Sequence, residues 1–163
     1  DVVSRLLFRA VSKLPARAQS YDLTLAASHV GVARSTDGGN TFGPIEFDKA
    51  LISPVCQASI VSFDNATYFS NPASTKGRNH LTVRKSIDNA ETWASELLVQ
   101  AGNSAGYSCL VKGAIQRGNS HAQQSGAAVG RPEDNGSGEG GILYEAVGGT
   151  INFALFPLSL SEE

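Results

Sequence analysis

The sequence predicts an all-β protein assembled from β-propeller blades. Three observations carry that expectation: short β-branched or aromatic runs bounded by turn residues, a strand-turn-strand signature that repeats, and little helical periodicity. The runs are Leu23–Leu25, Val30–Ala33, Ala58–Phe63, Ala66–Phe69, Leu81–Arg84, Ile142–Tyr144 and Ile151–Phe156, set among Gly, Asn, Asp, Ser and Pro. Such side chains fit a pleated, half-buried surface, so the runs read as strands of antiparallel sheets. In the opening stretch Val3, Leu7, Val11 and Leu14 lie near helical spacing, and a strand through Arg5–Phe8 competes with that helix.

The repeat gives the architecture. Ser35-x-Asp37-x-Gly39-x-Thr41-Phe42 returns 51 residues later as Ser86-x-Asp88-x-Ala90-x-Thr92-Trp93. Each copy reads as a hairpin turn in which the Asp accepts backbone and hydroxyl hydrogen bonds, Gly supplies a positive φ and the aromatic ring packs beneath. Ala90 in the glycine place makes the second copy the weaker match. A period near 50 with one such turn per unit points to four-stranded blades that bury their faces only against neighbours, and the chain holds about three. An isolated set would leave two apolar sheet faces open to water and prone to associate.

With 163 residues, 41% hydrophobic and 17% charged, residues 1–163 suit one domain. A net charge of −2 and a pI near 5.9 give no footprint for nucleic acid. No apolar run reaches the ~18 residues of a membrane span, and Asp1–Arg5 lacks the pattern of a signal peptide, so compartment stays open. Cys56 and Cys109 cannot make a zinc site alone and lack redox spacing, leaving two free thiols or one bridge. His29, His80 and His121 are scattered without metal-ligand spacing, and no cofactor or metal is expected. Asn65-Ala66-Thr67 and Asn135-Gly136-Ser137 are sequons that matter only in a secreted chain. Residues 113–140, above all Gly118 to Gly140, turn to Gly, Ser, Asn and Gln and read as a mobile loop insertion.

Several segments together resemble the C-terminal half of a sialidase (exo-α-neuraminidase): Ser70-Asn71-Pro72-Ala73 before Arg78, Ser104-Ala105-Gly106-Tyr107-Ser108-Cys109-Leu110, Gly141-Ile142-Leu143-Tyr144-Glu145, and the repeated turns, which are similar to Asp-boxes (BNR repeats). The resemblance runs from about Ala16 to Phe156. It implies an Asp-box β-propeller of the sialidase type, of which this chain would be about three blades of six. It also implies sialylated glycoproteins, gangliosides or oligosaccharides as partners, and upstream blades to close the ring.

The chemistry of the sugar selects the residues. Sialic acid carries a carboxylate on its anomeric carbon, and guanidinium forks hold a planar carboxylate through bidentate, charge-assisted bonds. By the resemblance Arg78 is one of three clamping arginines, and Arg17, with Arg9 as rival, is another. Arg34 also resembles a family position but is expected to point along the blade. A carboxylate nucleophile would be repelled by the sugar's own carboxylate, whereas a phenol would not. Sialidases are a known tyrosine exception among glycosidases, and the resemblance gives that role to Tyr107. Glu145 would brace an arginine of the clamp as part of the catalytic set. Gln57 would line the pocket as a neutral hydrogen-bonding group. The first arginine, the acid aspartate and the base glutamate find no match and would lie before Asp1, so the chain alone is expected to be inactive. A non-catalytic Asp-box propeller that binds or scaffolds is the alternative, and sialic acid transfer a lesser one.

Overall fold

The computed structural model describes residues 5–9, 28–113 and 138–160. Nine strands follow one another: β1 (Arg5–Arg9), β2 (His29–Ser35), β3 (Glu46–Ile52), β4 (Ser59–Phe63), β5 (Ala66–Pro72), β6 (Asn79–Ser86), β7 (Ser95–Gly113), β8 (Glu139–Ala146) and β9 (Thr150–Pro157). No helix occurs among the described residues. All pairings are antiparallel, in the orders β1-β2-β3 and β4-β5-β6-β7-β8-β9.

β7 serves two blades. Its first part, from Ser95 to Asn103, pairs with β6, and its second part, from Ser104 to Gly113, pairs with β8. The middle blade is therefore β4, β5, β6 and the start of β7, a full set of four strands. The first blade comprises β1, β2 and β3, and the last comprises the end of β7 with β8 and β9.

Packing follows from the alternation along β5, every residue of which is buried. Successive side chains of a strand point to opposite faces, so Tyr68 and Phe69 enter different cores. Tyr68 lies with Leu81, Val83, Leu110, Ile142 and Phe156 between the middle and last blades, and its hydroxyl donates to the Leu158 carbonyl at 3.0 Å. Phe69 lies with Val30 and Leu51 between the first and middle blades. A strand covered on both faces loses the apolar-polar alternation of a half-exposed one.

The two turns share one hydrogen-bond scheme. Asp37 Oδ1 accepts from Ser35 Oγ (2.7 Å) and the Thr41 amide (2.9 Å), and Oδ2 from Thr41 Oγ1 (2.6 Å). Asp88 does the same with Ser86, Thr92 and the Thr92 hydroxyl at 2.7, 2.9 and 2.6 Å. These bonds, led by the threonine hydroxyl, hold both carboxyls well below the ordinary carboxylate range. Ala90 takes φ 61° and donates to Ser86 Oγ at 2.8 Å as Gly39 donates to Ser35 Oγ, so alanine accepts the glycine conformation here. The aromatic positions differ. Trp93 packs on Phe69 at 5.6 Å and donates to Asp48 Oδ2 at 2.9 Å, tying the middle blade to the first, whereas the Phe42 ring remains 41% exposed. Arg34 does point along the blades: it donates to the Asn89 and Ala90 carbonyls at 2.9 and 3.0 Å and pairs with Glu91, clamping the second turn.

Two open readings resolve and one boundary changes. The start of the chain contains the strand Arg5–Arg9 and not a helix through that stretch, because its backbone pairs with β2. The loop assigned to 113–140 yields its ends to strands, since β7 runs to Gly113 and β8 begins at Glu139; residues 114–137, including His121 and Asn135, lie outside the described residues. Cys56 and Cys109 are free thiols, one buried and one exposed. The run Leu23–Leu25 lies outside the described residues.

Candidate active site

Strand direction sorts the molecule into two rims. The β2–β3, β4–β5 and β6–β7 turns lie at one rim, with both repeated turns. The approach to β4, the β5–β6 connection, the middle of β7 and the β8–β9 turn lie at the other. Gln57, Arg78, Tyr107 and Glu145 all fall on this second rim.

Arg78 comes at the end of the β5–β6 connection. Its base is the Ser70-Asn71-Pro72 end of β5, whose polar side chains are cross-links: Ser70 Oγ meets Ser108 Oγ at 2.8 Å, and Asn71 Nδ2 donates to the Ile52 carbonyl at 2.7 Å. Arg84 donates to Asn71 Oδ1 at 3.2 Å and pairs with Glu96 at 3.2 Å, which compensates its burial. The connection closes with Ala73 N–H on the His80 carbonyl at 2.9 Å, and the Ser104 amide donates to the Arg78 carbonyl at 2.8 Å.

Tyr107 lies where the register of β7 against β8 shifts, between Ser104 and Ser108. An irregularity of this kind re-aims a side chain and recurs beside active sites. Gly106 makes it feasible, with φ 105° and no room for a Cβ, which would lie 2.7 Å from both Arg78 Cδ and Cys56 Sγ. The Arg78 guanidinium then sits over the Tyr107 ring, 5.0 Å from its centroid, a cation–π arrangement. Tyr107 is 46% exposed.

An open cleft of about 250 Å³ runs beside this pair, lined by Gln57, Tyr107, Cys109, Leu143, Glu145 and Ile151 among others. Glu145 is half-buried and pairs across the sheet with Ile151. Arg78 and Glu145 both act electrostatically on the Cys56 thiol, which burial, the largest influence, pushes upward. Gln57 lines the cleft, but its amide is engaged: Oε1 accepts from the Ser108 amide at 3.0 Å, and Nε2 donates to the Ser108 and Ala58 carbonyls at 3.1 and 2.9 Å.

Arg78, Tyr107, Glu145 and Gln57 thus come together. Arg17 lies outside the described residues; Arg9 ends β1 opposite Gly31. Sequence reasoning missed Cys56 and Gly106 as parts of the site. The glycine next to Tyr107 was the available signal.

No family model matches the chain. Curated relatives do. A sialidase of Bacteroides fragilis is 43% identical over 90 residues, covering 48% of this chain and 16% of its own length. A sialidase of Micromonospora viridifaciens is 39% identical over 89 residues, covering 48% of this chain and 14% of its own length. Among solved structures, a Hadza microbial sialidase superposes with a TM-score of 0.60 at 26% identity, over 83% of this chain and 24% of that one. The chain is a sialidase homologue. A leech intramolecular trans-sialidase superposes equally well, with a TM-score of 0.60, but at 17% identity and over 82% of this chain and 21% of that one, so it attests the fold alone. This sialidase homologue spans between one seventh and one quarter of the length of these four proteins.

Proposed function

We propose that this sialidase homologue supplies part of the active site of an exo-α-sialidase, a retaining hydrolase that removes terminal sialic acid from glycoproteins, gangliosides or oligosaccharides. The observation that carries the reading is the placement of the Arg78 guanidinium over the Tyr107 ring, beside a cleft that Glu145 shares. A cation and a phenol at one point on the rim suit a sugar whose reacting carbon bears a carboxylate.

In this reading Arg78 holds the sugar carboxylate, and Tyr107 Oη forms a bond to the anomeric carbon as the bond to the departing oxygen breaks. The phenol proton passes to a base and the departing oxygen takes a proton from an acid; water later cleaves the aryl glycoside. Glu145 braces the clamp. The acid and base are not assigned to any described residue. The cleft volume of about 250 Å³ lies below the usual ~300–1,000 Å³ of ligand pockets, in keeping with one wall of a larger site. Turnover is therefore proposed to need the blades that the longer relatives carry.

The test joins this chain to the N-terminal blades of a sialidase relative and follows release of a fluorogenic sialoside, with the chain alone alongside. The reading expects activity only in the joined protein, and expects Arg78→Ala to raise KM. An undiminished Arg78→Ala variant would count against the clamp and favour a binding or scaffold propeller.

A further inference from the structure

We propose that Gln57 is a positioning residue for Tyr107, acting through the backbone of β7 rather than on the substrate. The proposal rests on the assignment of Tyr107 to the reaction, and it gives the amide of Gln57, a residue that lines the cleft, a role on the backbone.

One edge of β7 beyond Tyr107 is in ladder with β8. On the other edge, facing the middle blade, alternate residues turn their amides toward side chains. The Ser108 amide donates to Gln57 Oε1 at 3.0 Å, and the Leu110 amide donates to Ser59 Oγ at 3.0 Å. Gln57 Nε2 returns a bond to the Ser108 carbonyl at 3.1 Å. A primary amide thus closes a two-bond ring on one residue's backbone, as a paired strand would, and fixes Ser108 in both position and rotation. Buried or half-buried amides need such partners, and Gln57-x-Ser59 meets Ser108-x-Leu110 with matching spacing.

On the other side of Tyr107, Cys56 Sγ and the Arg78 side chain close over Gly106 with no room for a Cβ. Consecutive residues Cys56 and Gln57 therefore bracket Tyr107 at Gly106 and Ser108. The bracket matters because Tyr107 is 46% exposed. Packing holds so open a side chain less firmly than a buried one, so its aim beneath Arg78 leans on the backbone.

The experiment uses the chain with labelled Arg and Tyr, recording the nuclear Overhauser contact between the Arg78 δ-methylene and the Tyr107 ring together with amide exchange at Ser108. Gln57→Met keeps the stem and removes the clamp; Gln57→Asn keeps the amide but falls a methylene short. In either folded variant the contact should weaken severalfold and the Ser108 amide should exchange at least about tenfold faster, as loss of one hydrogen bond implies. Amides of β5 and β6 should be unchanged. Ser62→Ala, which removes a 3.0 Å bond to Thr67 on the opposite rim, should leave the contact intact. An unaltered contact in a folded Gln57 variant overturns the proposal, and so does global unfolding of both variants, which would make Gln57 a determinant of the fold at large. Turnover of Tyr107→Phe in the joined protein tests the sialidase reading, so failure of that reading is distinguishable from failure of the Gln57 clamp.

Discussion

The Arg78 guanidinium lies 5.0 Å above the centre of the Tyr107 ring, although 29 positions of chain and most of two strands separate them. The β5–β6 connection brings one and an irregularity in β7 the other. The account of function depends on this pairing.

On the proposed reading, Arg78→Ala removes a charge-assisted grip on the sugar carboxylate worth ~1.5–3 kcal/mol. In the joined protein the KM for a sialoside should rise about 10- to 100-fold, and Arg78→Lys should recover only part of that, since an ammonium is not a planar fork. Steady-state kinetics at saturating and limiting sialoside provide the check.

The same motif position should cost different amounts in the two turns. Trp93→Ala loses contact with Phe69 and the bond to Asp48, and should destabilise the chain by about 2–4 kcal/mol. Phe42 is 41% exposed, so Phe42→Ala should cost under about 1 kcal/mol. Urea denaturation of both variants would show equal losses if the turns were equivalent.

Asp37 and Asp88 are held below the ordinary carboxylate range by threonine and serine donors. A depressed folded-state pKa gives stabilisation that is complete above the unfolded value of ~3.9 and is lost as pH falls toward the folded one. Melting temperature should fall on acidification below pH ~4, and less steeply in Asp88→Asn, which has no proton to take up there. Thermal scans of both proteins between neutral and acid pH measure the difference.

The thiols should separate kinetically. Cys109 is exposed, whereas Cys56 is buried with its thiol pushed upward by burial. A disulfide reagent at pH 8 should modify one equivalent quickly and the second only on unfolding. Two equally fast equivalents would mean that Cys56 is not enclosed by Gly106 and Arg78.

Strands were legible wherever apolar, aromatic or β-branched residues run together, on covered faces and also at Ile151–Phe156, where Ile151 and Phe153 are exposed. Ala66–Phe69 and Leu81–Val83 are continuous apolar, aromatic or β-branched runs, as the sandwiched middle blade allows. β3 escaped notice because Glu-Phe-Asp-Lys-Ala-Leu-Ile buries only Leu51 fully. β7 was obscured by Gly102, Asn103 and Gly106, which read as turn residues yet lie within one strand at a register shift. Arg78, Tyr107 and Glu145 could be named as candidates from short contexts, and Ser70 and Asn71 before Arg78 are cross-links at the end of β5. The Gln57 clamp could not: one amide gripping a backbone 51 positions away leaves no local signature.

The most direct measurement is sialoside hydrolysis by the joined protein with Tyr107 changed to Phe, which deletes one oxygen and keeps the ring under Arg78. The account predicts a fall in kcat of at least about 100-fold, the scale of a lost reacting group, with the fold unchanged. Undiminished turnover would contradict it.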